Sequence, residues 1–221
     1  MRRSILMLLA VLAAMPSADA ARKKPSAGTI QEGVYRDSKY GFELKMSENW
    51  KAIISKDEDN LRLALVQRNY GIPPRYQNAP DYTVIPRIAV FADTSTLGAA
   101  AMLDSLLSQT CKSKQKKEIL KEFEFLNLND IIPRNRKFTQ VAGEAAVVWE
   151  GTVKYVKDIS TSTSDVGGVR ESGAYGGAVI TTKKGNTILL FHLMCEDDFY
   201  NDVMKDALGI VNSLSWPKPT E

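Results

Sequence analysis

Short runs in which apolar and polar residues alternate constrain this chain more than any other feature of its sequence. Phe42, Leu44 and Met46, for example, alternate with charged residues. A period of two places the apolar side chains on one face of a β-strand. The sequence therefore predicts strands that each bury one face. The runs cover residues 33–37, 42–46, 50–55, 61–67, 83–92, 137–141, 145–156, 176–182 and 187–195.

Helical periodicity interrupts these strands. Apolar residues recur every four positions from Ala99 to Cys111, which predicts a helix over residues 97–111 with one apolar face. A charged helix is predicted over residues 114–124, and an apolar stripe predicts a closing helix over residues 199–214. Hairpins are predicted around Gly143 and through residues 183–186. Residues 126–136 and the Ser-, Thr- and Gly-rich residues 157–175 are predicted to be irregular.

The first twenty residues have the features of a secretory signal peptide. Arg2 and Arg3 form a basic start, residues 5–14 are apolar, and Ala18 and Ala20 fit an Ala-x-Ala cleavage site. The apolar run is shorter than the roughly 20 residues that span a bilayer. We therefore expect cleavage near Ala20, no transmembrane anchor afterwards, and a periplasmic or secreted protein.

The 221 residues suit one domain once this leader is removed. We expect residues 1–20 to be the signal peptide, residues 21–31 a flexible N-terminal segment, and residues 32–217 a single α+β domain. The net charge of +3 is close to neutral, whereas nucleic-acid-binding domains carry a clustered basic surface. We therefore expect no nucleic-acid partner. The sequence assigns no oligomeric state.

The chain has two cysteines, Cys111 and Cys195. An even number of cysteines in an exported chain is typical of a disulfide, because the compartment is oxidising. Alternation places Cys195 on the same strand face as Leu193, and Cys111 lies on the apolar stripe of the helix over residues 97–111. If that helix packs on this face, the sulfur atoms meet. We predict a disulfide between Cys111 and Cys195; two separately buried thiols are the alternative.

Residues 70–87 interrupt the strand pattern with four prolines, which cannot donate to a sheet. Tyr70, Arg75, Tyr76 and Tyr82 are interleaved with them. Tyrosine and arginine supply large contact areas and directional hydrogen bonds at protein interfaces. We predict that these four residues bind a partner. The alternative is that the tyrosine rings fold back over the edge of the sheet.

Residues for catalysis and metal binding are scarce. The one histidine, His192, lies in an apolar strand, where a packed imidazole is expected more often than a base. The acidic residues 196–198 precede the closing helix, where Asp197 or Asp198 is expected as its N-cap. Residues 57–61 lack the remaining ligands of a calcium loop. We predict no catalytic, metal-binding or cofactor-binding residues.

One stretch resembles a known family. Residues 34–50 read Val-Tyr-Arg-Asp-Ser-Lys-Tyr-Gly-Phe-Glu-Leu-Lys-Met-Ser-Glu-Asn-Trp: a short strand, a turn at Gly41, an amphipathic strand and an anchoring Trp50. This is similar to the opening of the PsbP/Mog/DcrB-like superfamily, with Ser47 in place of the usual proline. The resemblance implies an α+β fold, in which helices pack against an antiparallel β-sheet. It also implies a non-enzymatic protein that works by binding.

These features favour an exported periplasmic binding or accessory protein that engages a partner protein in the cell envelope. The open face of the sheet or residues 70–87 would form the contact. Two alternatives remain. A carboxylate-dependent hydrolase requires two carboxylates that converge in an apolar pocket, drawn from residues 57–59 and 196–198. A carrier of a small molecule or lipid requires a large apolar cavity.

Overall fold

The computed structural model describes residues 25–70, 86–107, 131–159 and 169–217. Within these ranges the chain forms ten strands and two helices. The helices are α1 (Ala99–Leu107) and α2 (Tyr200–Asn212), and a short 3-10 turn (Asp197–Phe199) precedes α2. The strands are β1 (Gly28–Gln31), β2 (Val34–Asp37), β3 (Glu43–Lys45), β4 (Trp50–Ile54), β5 (Leu61–Gln67), β6 (Arg87–Thr94), β7 (Ile131–Val141), β8 (Glu144–Ile159), β9 (Val169–Lys184) and β10 (Thr187–Glu196).

The strands form two antiparallel sheets. The smaller sheet has the order β1-β2-β3, and the larger has the order β4-β5-β6-β10-β9-β8-β7. Within the described ranges, β4 and β7 are the edges of the larger sheet. The α+β class with an antiparallel sheet, which the resemblance implied, is confirmed.

The larger sheet is covered on both faces. On one face, Val90, Leu189 and Phe191 pack with α2 and with the smaller sheet; we call it the α2 face. On the other, Phe91 and Leu190 pack with α1; we call it the α1 face. Because β10 lies in the middle of the sheet, both of its faces are buried. Alternation in β10 therefore cannot show which face a given helix covers.

Two of the predicted turns and the predicted anchor are confirmed. Ala142 and Gly143 have φ of 53° and 80°, which is the two-residue turn with positive φ that suits a β-hairpin. Gly41 turns the chain between β2 and β3 with φ of 67°. Trp50 is 2% exposed, and its Nε1 donates a hydrogen bond to Asp206 Oδ2 of α2 at 2.6 Å.

Three predictions of irregular structure are wrong in the described part of the chain. The segment over residues 21–31 contains β1, which pairs with β2, so the ordered fold begins before residue 32. Residues 131–136 belong to β7, and residues 157–159 and 169–175 belong to β8 and β9. Pairing between long neighbouring strands holds these segments, although their composition gives no clear alternation.

The packing on which the disulfide prediction depended is also wrong. Cys195 is fully buried on the α2 face. The described part of α1 instead belongs to the hydrophobic cluster on the α1 face, which includes Leu190 and Met194. Cys111 and the helix over residues 114–124 lie outside the described residues. The Cys111–Cys195 disulfide therefore stays a prediction without that support.

Among the described residues, no helix combines the length and apolarity needed to cross a membrane.

Candidate functional site

Tyr70 is the one predicted partner-binding residue that lies within the described ranges. It is half-buried, and its ring meets the Phe199 ring edge-on, with the centroids 6.1 Å apart. Its ring therefore packs back onto the turn before α2, which fits the alternative of a covering role for this tyrosine. Arg75, Tyr76 and Tyr82 lie outside the described residues, so their predicted role remains untested.

A buried polar network surrounds Arg62, beside the bulge in β5. Its guanidinium donates from Nε to Asp37 Oδ2 at 2.7 Å and from Nη2 to Asp57 Oδ1 at 2.8 Å. Nη1 donates to the carbonyl oxygens of Asp57 and Asp59 at 2.6 and 2.9 Å. Nη2 also donates to the carbonyl oxygen of Ala27 at 3.0 Å. Each of the three nitrogens is therefore engaged within the protein.

Asp37, at the end of β2, receives hydrogen bonds from several further groups. Tyr35 Oη donates to Oδ2 at 2.9 Å, and the backbone N–H groups of Lys39 and Tyr40 donate to Oδ1 at 2.9 and 2.7 Å. Burial raises the pKa of Tyr35, and the Asp37 carboxylate raises it further. The network joins the smaller sheet to the larger one and leaves no donor of Arg62 for a ligand, so its role is structural.

A cavity of about 230 Å³ lies beside this network, lined by Pro25, Lys39, Asp57 and Glu58. The hydrogen bond from Arg62 holds the pKa of Asp57 below its usual value, and one from Ser38 adds to this effect. The lining is charged, whereas a lipid carrier needs a large apolar cavity. This cavity therefore does not support the carrier alternative.

A second polar cluster lies on the α2 face, where β7 and β8 meet the start of α2. Tyr200 Oη donates to Glu150 Oε1 at 2.9 Å, and Asn135 Nδ2 donates to Glu150 Oε2 at 3.0 Å. Arg134 forms an ion pair with Asp197 and lies over the Tyr200 ring, 5.4 Å from its centroid. Burial raises the pKa of Tyr200, and the Glu150 carboxylate raises it further. The cluster fixes the first part of β7 against α2.

The next part of β7 carries an exposed aromatic residue among cations. Residues 132–140 are all exposed, and Phe138 exposes 73% of its area. The Arg136 guanidinium lies 5.8 Å from the Phe138 ring centroid and also pairs with Asp104 of α1 at 2.7 Å. Lys137 is on the opposite face of the strand, next to Val148. We call Arg136, Lys137 and Phe138 the β7 patch.

His192 is sealed inside the α1 face. It is 1% exposed and lies between Ala89 of β6 and Val179 of β9. Burial, with a smaller contribution from the positive charge of Arg87, lowers the pKa of His192 to about 3. The imidazole is therefore neutral at physiological pH and out of reach of a substrate in solution. This agrees with the prediction of a packed histidine.

The prediction that Asp197 or Asp198 is the N-cap of the closing helix is wrong. The N-cap of α2 is Phe199, and that of the preceding turn is Glu196; neither makes a side-chain capping hydrogen bond. Glu196 is instead 2% exposed at the end of β10, and Asp197 pairs with Arg134. In the part of the chain that the structure describes, no group of three or more His, Cys, Asp or Glu side chains could hold a metal ion.

The carboxylates considered for a hydrolase belong to different networks. Asp57 is paired with Arg62, and Asp197 is paired with Arg134. The hydrogen bond from Arg62 holds the pKa of Asp57 below its usual value, whereas a general acid needs a raised pKa. These two pairs give no support to the hydrolase alternative.

Sequence reasoning missed the residues that make both polar clusters and the β7 patch. The sequence contains one feature that points to Arg62, because a single arginine between Leu61 and Leu63 interrupts an apolar strand. No sequence feature points to the β7 patch. Phe138 alternates with polar residues in the manner of a core position, and its exposure follows from the place of β7 at the edge of the sheet.

Comparisons with known proteins find similarity at the level of structure. No family model and no curated protein matches the chain. The crystal structure of LpqN, which is involved in cell envelope biogenesis of Mycobacterium tuberculosis, has a TM-score of 0.48 and 14% identity, covering 79% of this chain and 82% of LpqN. The solution structure of cyanobacterial PsbP (CyanoP) from Synechocystis has a TM-score of 0.48 and 12% identity, covering 86% of this chain and 96% of CyanoP.

A PsbP is thus among the structures similar to this chain. At this level of similarity the comparison assigns no function.

Proposed function

We propose that this protein is an exported, non-enzymatic binding protein of the cell envelope, and that a partner protein docks on the β7 patch. The observation that carries the proposal is Phe138, a residue that is 73% exposed beside Arg136 on an edge strand. A single exposed apolar residue needs no explanation. An exposed aromatic ring stacked with an arginine, next to an open backbone edge, has the composition and position of an interface anchor.

The surroundings of Phe138 favour a partner with negative charge. Lys137 makes no ion pair within the described residues, and the ion pair between Arg136 and Asp104 is exposed to solvent on both sides. Exposed ion pairs contribute about 0–1 kcal/mol, so Arg136 can exchange Asp104 for a carboxylate of the partner at little cost.

Arg75, Tyr76 and Tyr82 remain part of the proposal as a second contact surface. Tyr70 also stays in this set, since it is only half-buried although its ring packs against Phe199. Export through residues 1–20 also belongs to the proposal, since it determines which partners the protein meets.

Site-specific photo-crosslinking tests the surface. Replacement of Phe138 by the photoreactive amino acid p-benzoylphenylalanine keeps an aromatic ring at the patch. In cells that export the protein, we expect one adduct of discrete mass after illumination. Co-expression of excess exported wild-type protein should suppress the adduct, and co-expression of the variant with Phe138→Ala and Lys137→Ala should not. The same amino acid at Ile53, which is 50% exposed on the opposite edge strand β4, is the matched control.

Adducts of equal yield from positions 138 and 53, or an adduct that both competitors suppress equally, would contradict docking on the β7 patch. Loss of the adduct after Tyr76→Ala with Tyr82→Ala, with position 138 intact, would make residues 70–87 a required contact as well.

A further inference from the structure

Among the described residues, no strand pairs with the outer edge of β7. Ala142 and Gly143 form a two-residue turn, so the flanking pair Val141 and Glu144 exchanges hydrogen bonds. Hydrogen-bonded and non-bonded pairs alternate along an antiparallel ladder. It follows that residues 139 and 137 bond to β8, whereas residues 140, 138 and 136 direct their N–H and C=O groups away from it.

The first residues of β7 cannot pair regularly with an added strand. Pro133 has no N–H to donate, and the register shifts between Pro133 and Asn135. A bulge of this kind ends regular pairing at a sheet edge. Residues 136–140 are therefore the part of the edge that can accept another strand, and they include the whole β7 patch.

We propose that an extended, acidic segment of the partner adds to the sheet beside β7 as an antiparallel strand. This inference rests on the proposed function and specifies its mode of binding and its ligand chemistry. In strand addition the backbone hydrogen bonds supply affinity and the side chains supply specificity. Here the outward groups of Arg136, Phe138 and Gln140 would bind the backbone of the incoming strand.

The side chains of β7 define the sequence that fits. Phe138 and Arg136 lie on the α1 face, next to Val147 and Trp149, and Lys137 lies on the α2 face, next to Val148. Directly opposed side chains on neighbouring strands interact. An antiparallel segment that places an aromatic or apolar residue opposite Phe138 and acidic residues opposite Lys137 and Arg136 therefore matches the patch.

Charge argues against a second copy of this chain as the occupant. Two copies of β7 paired antiparallel through residues 136–140, with Phe138 opposite Phe138, would place Arg136 opposite Gln140 and Lys137 opposite Thr139. Neither cation would then gain an opposite charge, and the cations of both copies would lie along one interface. An acidic segment instead places opposite charges against Arg136 and Lys137.

The probe is a labelled peptide, acetylated and amidated at its ends, with the sequence Ser-Thr-Phe-Glu-Glu-Thr-Ser. The control peptide has lysine at both glutamate positions. Binding of each peptide to the full mature protein is measured by fluorescence anisotropy. We expect the acidic peptide to bind in preference to the basic one, and its affinity to fall as the salt concentration rises.

Gln140→Pro removes an outward N–H and keeps the ladder between β7 and β8. Proline is tolerated on an edge strand where the missing N–H faces solvent. We expect the acidic peptide to bind about tenfold more weakly to this variant, because a hydrogen bond is lost and the ring obstructs the strand. Gln140→Ala, which keeps the N–H, should bind as the wild type does, and thermal melts followed by circular dichroism establish that both variants fold.

Charge reversal at one position provides a test that does not depend on proline. Lys137→Glu should weaken binding of the acidic peptide by about fivefold, the effect expected of a cross-strand charge pair. The same variant should bind the basic peptide more tightly than the wild type does.

The outcomes separate this inference from the proposed function. Crosslinking from position 138 together with equal peptide affinities for Gln140→Pro and Gln140→Ala would leave the docking surface in place and overturn strand addition. Loss of both the specific crosslink and peptide binding would overturn both. A concentration-dependent dimer that Gln140→Pro abolishes would make a second copy of the chain the occupant and overturn the acidic segment.

Discussion

Arg62 shows how one residue can hold two sheets together. Its side chain is fully buried and ion-paired to Asp37 of the smaller sheet and to Asp57. A buried charge left without its partner is strongly destabilising. Arg62→Leu should therefore lower the free energy of unfolding by about 3–5 kcal/mol, measured by urea denaturation.

The matched control for Arg62 is Arg36→Leu. Arg36 pairs with Glu43 at 2.7 Å, but its side chain is 46% exposed. An exposed ion pair contributes about 0–1 kcal/mol, so this variant should unfold close to the wild type. If the two variants lost equal free energy of unfolding, burial would not be the reason that Arg62 stabilises the protein.

His192 predicts a pH dependence of stability. Its pKa is about 3 in the folded protein, against 6.5 for an ordinary histidine. Between these values the unfolded chain binds a proton that the folded protein does not. The stability that depends on neutral His192 is therefore complete above pH 6.5 and is lost as the pH falls towards 3, with a slope of up to about 1.4 kcal/mol per pH unit.

Urea unfolding at several pH values between 6.5 and about 5 measures this slope, because most carboxyl groups titrate below that window. His192→Leu removes the group and should flatten the dependence there, whatever it does to stability at neutral pH. An unchanged slope in the variant would mean that His192 does not titrate on unfolding.

At the scale of elements, the alternation of apolar and polar residues predicts the strands that have one apolar and one polar face. β5 was predicted at its observed bounds, because Leu61, Leu63 and Leu65 repeat with the period of a strand. β1 was missed because Ile30 is its one large apolar residue. The long extensions of β8 and β9 depend on pairing with each other, which is a property of two distant segments and leaves no pattern in either one.

The helices show a related limit. The apolar stripe of α1 was predicted, and Met102, Leu103 and Leu106 are buried. The face that α1 covers could not be predicted, because both faces of β10 are apolar. The same ambiguity left the contact between Cys111 and Cys195 undetermined from the sequence.

Cysteine labelling resolves the state of the two thiols. Burial, with a smaller contribution from the nearby Asp197 and Glu196 carboxylates, raises the pKa of Cys195 to about 12. A protonated, buried thiol reacts slowly, so a maleimide should not modify Cys195 in the native protein. In unfolded, unreduced protein, the predicted disulfide leaves no thiol to label, and Cys111→Ser restores one. Two labelled thiols in unfolded wild-type protein would contradict the disulfide and support the alternative of separate thiols.

At the scale of the whole molecule, the larger sheet is a scaffold whose centre and edge have different roles. β10 and β6 lie in its interior, where both faces are packed and the one histidine is sealed. β7 lies at the edge, and the cluster around Tyr200 fixes its first part while residues 136–140 face solvent. If a partner strand docks there as proposed, β7 should lose little conformational entropy, because it is already extended.

Export determines whether that edge meets an envelope partner. If residues 1–20 are a signal peptide, the protein from the periplasmic fraction should begin at Ala21, as shown by N-terminal sequencing and by an intact mass lower by those residues. Ala20→Phe should accumulate as the uncleaved precursor, because signal peptidase requires a small residue at that position. Leu9→Arg places a charge in the apolar run and should retain the precursor in the cytoplasm. Full-length protein recovered from the cytoplasm in all three cases would contradict export, and with it the envelope partner, while the structural predictions for Arg62 and His192 would be unaffected.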